Sequence, residues 1–258
     1  MRHQPRWITA PKRPQQPDER GKRLVIVIPF RDRQENLAEL LPALSAYMLR
    51  NDAPRLAPLP RICIVEQADD DAFNKGALCN VGFALHRNEL DYVCFHDVDC
   101  VPLEADYSYA DLPTRVLEVG TRNPENLDVY FGGVVALSRA DFETINGFSN
   151  HYRRWGFEDN DLLLRIVRNG MALEARPGVF RALSHVAAER DEHGAVRAEV
   201  YANRDRFRRR FDSDIDFWTD DGLRTLRYTL MATTQRADAG KGAIEIVHHR
   251  VNVPASFP

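Results

Sequence analysis

No stretch of this 258-residue chain is long and apolar enough to serve as a secretory core or a membrane span, and its opening, MRHQPRWITAPKRPQQPDERGKR, is polar and rich in Pro and Arg. A cytosolic protein is expected, with residues 1–23 a flexible arm. An excess of one charge is also missing: 35 Lys and Arg stand against 38 Asp and Glu, a formal net charge of -3. That balance exerts no sequence-wide pull on nucleic acid or anionic lipid, so neither is expected as a partner. The four cysteines, Cys63, Cys79, Cys94 and Cys100, contain no C-x-x-C pair. Cys63 and Cys94 lie in apolar runs where a thiol behaves as a small hydrophobe, which argues against a zinc site. Absent too are G-x-x-x-x-G-K-[ST] and a G-x-G-x-x-G after the first apolar run, which excludes kinases, ATPases and ordinary dehydrogenases. No internal repeat occurs.

What is present reads as one α/β domain over residues 24–258, since 44% apolar residues in a chain of this length bury a sizeable core without staples. LVIVIP from Leu24 is apolar and β-branched, as a strand buried on both faces is, and QENLAELLPALSAYMLR repeats Leu at helical spacing. RICIVEQ with NKGALCNVGFALHRN, then DYVCFHDVD, repeats the unit. The pattern predicts βαβαβ over residues 24–99 and a mostly parallel central sheet with helices on both faces. Beyond it, VYFGGVVALSRADFETINGF predicts a strand with a Gly pair and a short helix ended by Asn146-Gly147, and the acidic stretch after Trp155 opens a helix stopped by Gly170. RTLRYTLMATT and GAIEIVHHRVNV predict two strands about a turn at Asp238-Ala239-Gly240, with His248 and His249 as strand and surface. Between them and the acidic helix, the polar segment at about 184–206 has the length at which lids occur.

Ligands of parallel sheets bind at the carboxyl ends of the strands, which here are Pro29-Phe30-Arg31, Glu66-Gln67 and Asp97-Val98-Asp99. Two carboxylates one residue apart at a buried strand exit are costly unless a cation neutralises them. A divalent ion carrying a diphosphate does so, with Asp99 as ligand and Arg31 on phosphate or base; an Asx turn and an Arg31–Asp32 ion pair are the plainer alternatives. The run Glu158, Asp159, Asn160, Asp161 is either an acidic first turn favoured by the helix dipole, or the source of the base that an inverting sugar transfer needs, Glu158 or Asp159. Trp155 offers a flat face to a sugar ring or simply packs in the core.

These residues carry a resemblance. PFRDRQENL, FNKGALCNVGF, FHDVDCVP, YFGGVVALSRADFETINGFSNHYRRWGFEDND and LLLRIVRNGM, in this order over about two thirds of the chain, are similar to the β-1,4-galactosyltransferases, glycosyltransferase family seven. The resemblance implies a GT-A fold and Mn2+-dependent, inverting transfer from a UDP-sugar donor, usually UDP-galactose, to a glycan or glycolipid acceptor. It splits the domain into a nucleotide-binding half, 24–102, and an acceptor and metal half, 128–258. It assigns Pro29, Phe30, Arg31 and Phe73 to the uridine pocket. Lys75, Asp97, Gly132, Gly133 and Trp155 fall to the donor, and Tyr130 to its C2 substituent, where a bulky ring favours galactose over N-acetylgalactosamine. Asp159 becomes the catalytic base; Glu158, Asp161, Trp155 and Phe157 face the acceptor, with helix capping the alternative for Glu158 and Asp161; Asp99 and His185 bind the metal; the segment from Ser184 to Arg206 is a lid.

Departures from the family pattern are visible. Where a further metal ligand precedes the histidine, this chain has Ala182 and Leu183, leaving water or His193 to complete the shell. A W-G-W-G turn is reduced to Arg154-Trp155-Gly156-Phe157, and Lys75 replaces an arginine, losing its planar fork. The Golgi enzymes' membrane anchor is missing, which implies a bacterial, cytosolic relative. UDP-N-acetylgalactosamine or UDP-glucose as donor, or a noncatalytic glycan-binding relative, are the alternatives; an N-acetylglucosamine, glucose or xylose acceptor fits equally, and nothing in the sequence sets an oligomeric state.

Overall fold

The computed structural model describes residues 7–9, 21–50, 58–116, 131–184, 193, 195–237 and 244–256. Strand β1 (Trp7–Thr9) is followed by the expected βαβαβ series: β2 (Leu24–Phe30), α1 (Gln34–Leu49), β3 (Arg61–Gln67), α2 (Lys75–His86) and β4 (Tyr92–His96). Next come β5 (Cys100–Ala105), β6 (Thr114–Arg115), β7 (Val134–Ser138), α3 (Arg139–Thr144), α4 (Glu158–Arg168), β8 (Leu173–Ala175) and β9 (Gly178–Ala182). Helix α5 (Ala198–Asp212) and the hairpin strands β10 (Thr229–Ala237) and β11 (Glu245–Asn252) complete the order.

Among the described residues nine strands form one sheet in the order β1-β8-β6-β7-β4-β2-β3-β11-β10, and β5 pairs with β9 in a second, two-stranded sheet. β4, β2, β3 and β11 run parallel at the centre, while β7 and β10 run antiparallel to their neighbours. β2 shows why its sequence is continuously apolar, for all seven of its residues are buried. Val25 and Val27 point into a core shared with Leu78 and Val81 of α2, whereas Leu24, Ile26 and Ile28 enter a second core with Leu40 and Leu44 of α1. Period-two alternation thus feeds two helical layers at once. Gly82 allows α2 to lie close on the sheet, since a Cβ there would stand 2.5 Å from Val27 Cγ1.

Three expectations change. Trp7–Thr9 is not part of a loose arm but pairs in parallel with Leu173–Ala175. The segment from 184 is helical over its second half, because α5 begins at Ala198 and seats Phe207 against Phe157, ring centroids 5.7 Å apart. β5 and β9, missed in the sequence, bring Cys100 opposite Ala182. The turn at Asp238-Ala239-Gly240 lies outside the described residues.

Behind α4 sits a largely buried ionic cluster, in which Asp161, Arg165 and Asp221 are buried and Arg210 is partly exposed. Arg165 reaches Asp161 at 2.7 Å and Asp221 at 3.0 Å, Arg210 reaches the same two carboxylates at 2.6 and 2.7 Å, and the Tyr152 hydroxyl donates to Asp161 at 3.1 Å. Burial pushes the Asp221 carboxyl up, but Arg165 and Arg210 outweigh it and hold the group below its ordinary range.

Candidate active site

The parallel strands β2, β3 and β4 exit at one end of the sheet, where Phe30, Gln67 and Asp97 stand. Asp97 is fixed through its backbone: its amide donates to the Gly133 carbonyl at 2.8 Å, and its carbonyl accepts from the Cys100 amide at 3.2 Å and from His96 Nδ1 at 3.0 Å. Since Nδ1 donates there, His96 Nε2 accepts the Tyr107 hydroxyl at 3.0 Å. Burial pushes His96 down to about 4, so the ring is neutral near pH 7. Gly132 and Gly133 are buried beside this turn, Gly133 at a φ of 76°.

Helix α2 starts at the same end. Asn74 caps it, accepting the Ala77 amide at 2.9 Å, while its own amide donates to Gln67 Oε1 at 2.9 Å and its Nδ2 donates to the Asn150 carbonyl at 2.7 Å. Gly76 comes so close to the opposite chain that a Cβ would lie 2.4 Å from the Ser149 carbonyl oxygen. These contacts aim Lys75. Its Nζ lies 3.0 Å from Asp97, 3.1 Å from Asp159 and 3.6 Å from Glu158.

Glu158 and Asp159 are the first residues of α4, so two helix N-termini, α2 and α4, converge on a group of carboxylates gathered by one ammonium. Burial pushes the Asp159 carboxyl up to about 8; Lys75 opposes this, and Glu158 and Asp97 add to it. The turn leading into α4 is held in left-handed backbone at Arg154 (φ 61°), Gly156 (96°) and Phe157 (74°). For Arg154 and Phe157 this is strained, and it is held by docking: Asn203 of α5 donates to the Arg153 and Trp155 carbonyls at 2.9 and 3.1 Å, and the Arg154 guanidinium reaches Glu199 at 2.7 Å. Trp155 is 46% exposed, which removes the core-packing alternative. Phe157 packs inward on Phe207.

Pro29, Phe30, Arg31 and Phe73 gather at the exits of β2 and β3. The Arg31 guanidinium stacks 5.5 Å from the Phe73 ring centre and donates to the Asp71 carbonyl, with Asp32 3.7 Å away. Asp99 is half-buried, its carboxyl pushed up by burial and by Asp97. Its carbonyl accepts the Leu183 amide at 2.8 Å, which fixes the end of β9 beside it two residues before position 185. A raised carboxyl next to a second carboxylate is a fitting place for a hard divalent cation. His185 and Tyr130 lie outside the described residues; His193 is exposed in a turn.

Asp161 corrects an expectation. It is fully buried and its two oxygens are taken by Arg165, Arg210 and Tyr152, so it holds α4 in place and offers nothing to an acceptor. Gln67, Asn74, Asn80 and Asn150, to which the sequence assigns no individual role, form the polar lattice behind Lys75; Asn80 donates to Asn150 Oδ1 at 2.9 Å. Only Asn74 carried a readable signal, an Asn one residue before a helical run.

Residues 9–110 match the family model described as the N-terminal region of glycosyl transferase group 7, and residues 121–189 match the model described as the N-terminal domain of galactosyltransferase. Human β-1,4-galactosyltransferase 1 is 33% identical over 219 residues, 81% of this chain and 51% of that protein. Rat β-1,4-galactosyltransferase 4 is 34% identical over 224 residues, 82% of this chain and 60% of that protein. The chain thus spans between half and three fifths of the length of these relatives. A solved structure of a Drosophila β-1,4-galactosyltransferase 7 mutant, in complex with manganese, UDP-Gal and xylobiose, superposes with a TM-score of 0.69 at 22% identity, over 90% of this chain and 94% of that one. The shared fold is the GT-A fold. Among the described residues no helix is long and apolar enough to cross a membrane.

Proposed function

Because the chain belongs to the β-1,4-galactosyltransferases of glycosyltransferase family seven, we propose that it is an inverting hexosyltransferase that moves galactose from UDP-galactose to a sugar hydroxyl of a glycan or glycolipid, with manganese. The observation that carries this reading is the convergence of Asp97, Glu158 and Asp159 on Lys75 at the strand exits.

Pro29, Phe30, Arg31 and Phe73 take the uridine, with the Arg31–Phe73 stack as one wall. Asp97, Lys75, Gly132 and Gly133 line the donor sugar; Tyr130, outside the described residues, keeps the role the family resemblance implies, selection at the C2 substituent. Asp99, with His185 from outside the described residues, would hold manganese, which when bound would supply positive charge to the diphosphate leaving group. Asp159 takes the proton of the acceptor hydroxyl as its oxygen bonds to the anomeric carbon; the bond from that carbon to the diphosphate breaks on the opposite face, which inverts the centre. A carboxyl lifted to about 8 binds that proton more readily than an ordinary aspartate. Glu158 and Trp155 hold the acceptor ring, while Phe157 shapes its floor from behind. The nucleotide-binding half is 24–102, and the acceptor half, 128–258, includes the segment 184–206 as a lid over the bound donor. The Drosophila complex with manganese, UDP-Gal and xylobiose supports the reading through its shared fold.

The test is release of UDP from UDP-galactose with a mixture of acceptor sugars. Release that needs both manganese and acceptor, and that falls to background in Asp159→Asn while UDP still binds, supports the proposal. Undiminished release in that variant removes Asp159 as the base. Faster turnover of UDP-N-acetylgalactosamine than of UDP-galactose overturns the donor choice, as does a Tyr130→Leu variant with an unchanged ratio of the two.

A further inference from the structure

At the opposite end of α2, three side chains capable of binding a metal meet inside the protein. Cys63 of β3, His86 of α2 and His249 of β11 are 0%, 5% and 6% exposed. The Cys63 sulfur and one nitrogen from each ring all lie within 4.8 Å of one another. The helical rise puts His86 about 16 Å from Lys75, well clear of the carboxylate site.

The geometry within the cluster is specific. His86 Nε2 faces His249 Nε2 at 3.1 Å. Two imidazoles bound to one tetrahedral cation at about 2.0–2.1 Å hold their nitrogens roughly 3.3 Å apart, with a thiolate sulfur at about 2.3 Å from the ion. The outward nitrogens are also occupied as they are around bound metals: His86 Nδ1 lies 3.0 Å from Glu89 Oε2, and His249 Nδ1 lies 2.8 Å from Thr233 Oγ1. Arg61 in turn pairs with Glu89. Glu89, Arg61 and Thr233 thus engage the two Nδ1 atoms, Arg61 lying 3.3 Å from that of His86, while the two Nε2 atoms face each other.

We infer that Cys63, His86 and His249 form a structural zinc site, separate from the manganese site, that ties β3, α2 and β11 together. The donor set of one sulfur and two imidazole nitrogens suits zinc and not manganese, whose preference is for oxygen. Three protein ligands leave one position for a small oxygen donor. Because the ligands come from the start of the parallel sheet and from its last hairpin, the ion pins the C-terminal β11 against the nucleotide-binding half. No C-x-x-C or H-x-x-x-H spacing announces it, since His86 and His249 are 163 residues apart.

The full chain is produced in zinc-supplemented medium, and separately in cobalt-supplemented minimal medium, and its metal content is counted by mass spectrometry. One zinc per chain that survives excess manganese is expected, together with a thiolate-to-cobalt charge-transfer band in the cobalt protein. Cys63→Ser should lose that band and the bound zinc. Thr233→Val, a change on the exposed edge strand, should weaken zinc binding about 10-fold or more through the outer partner alone. Cys100→Ser, next to Asp99, should keep the band. Absence of the band from the wild type overturns the site and leaves His86 and His249 as a hydrogen-bonded pair. Loss of the band in Cys100→Ser, or equal zinc retention by wild type and Cys63→Ser, overturns it as well. The cobalt spectrum of the wild type decides the matter even if Cys63→Ser fails to fold.

Discussion

Lys75 Nζ stands 3.1 Å from both oxygens of Asp159, and the same ammonium lies 3.0 Å from Asp97, so one cation locks the start of α4 to the start of α2 and to the exit of β4. Without it, three carboxylates would face each other in a largely buried space, and the charged form of each would cost more.

Lys75→Gln should therefore push Asp159 above about 8, whereas Lys75→Arg should hold it near that value. In the profile of kcat/KM against pH, the ascending limb should move to higher pH in the first variant. At a fixed pH below the limb, moving it up by about one pH should lower the rate about tenfold. A Lys75→Gln limb that coincides with the wild type would show that Lys75 acts on binding alone.

Asp159 also sets a pH dependence of stability. Its folded value, raised to about 8 chiefly by burial, exceeds that of the unfolded chain, about 3.9. The folded state keeps a proton that the unfolded state gives up, so the contribution is complete below pH 4 or so and is lost as pH rises to about 8. Asp159→Asn should lose this slope. Its melting temperature relative to wild type should climb between pH 5 and pH 9 in manganese-free buffer, and parallel curves would contradict the assignment.

The Asp161–Arg165–Asp221–Arg210 cluster is where a single change should unfold α4. Arg165→Met leaves Asp161 and Asp221 buried with one guanidinium between them, a loss of about 3–5 kcal/mol. Denaturant titration should show the midpoint fall accordingly; a change under about 1 kcal/mol would mean that water reaches the cluster.

Trp155 should behave in the opposite way. At 46% exposure its truncation to Ala should change stability by no more than about 0.5 kcal/mol. Transfer should nevertheless fall, through a raised KM for sugar, which steady-state kinetics with the acceptor varied will resolve. Unaltered kinetics would make this indole a bystander.

Much of the fold was legible because its signals are local. LVIVIP and RICIVEQ read as strands since both faces of β2 and most of β3 are covered, and the leucines of α1 read as a helix since they line one core. The D-x-D at the exit of β4 and the acidic opening of α4 were visible for the same reason. β1 was not, for three residues in a polar stretch become a strand only by pairing with Leu173–Ala175. α5 was also hidden, its sequence AEVYANRDRFRRRFD being mostly charged, with Asn203 and Phe207 its buried residues.

By itself the sequence determined the alternation of strand and helix, the end of the sheet at which chemistry sits, and which carboxylates are candidates, because periodicity and strand exits are written in neighbouring residues. Only the tertiary structure set the surroundings of each carboxylate. Asp159 meets Lys75 across 84 residues of chain, while Asp161, two positions on, turns into the core to meet Arg165 and Arg210. The i, i+4 pair of Asp161 and Arg165 was readable; its complete burial was not, since that depends on α5 and Asp221 folding over it. The same holds for Cys63, His86 and His249, which become neighbours only when β11 joins the sheet beside β3.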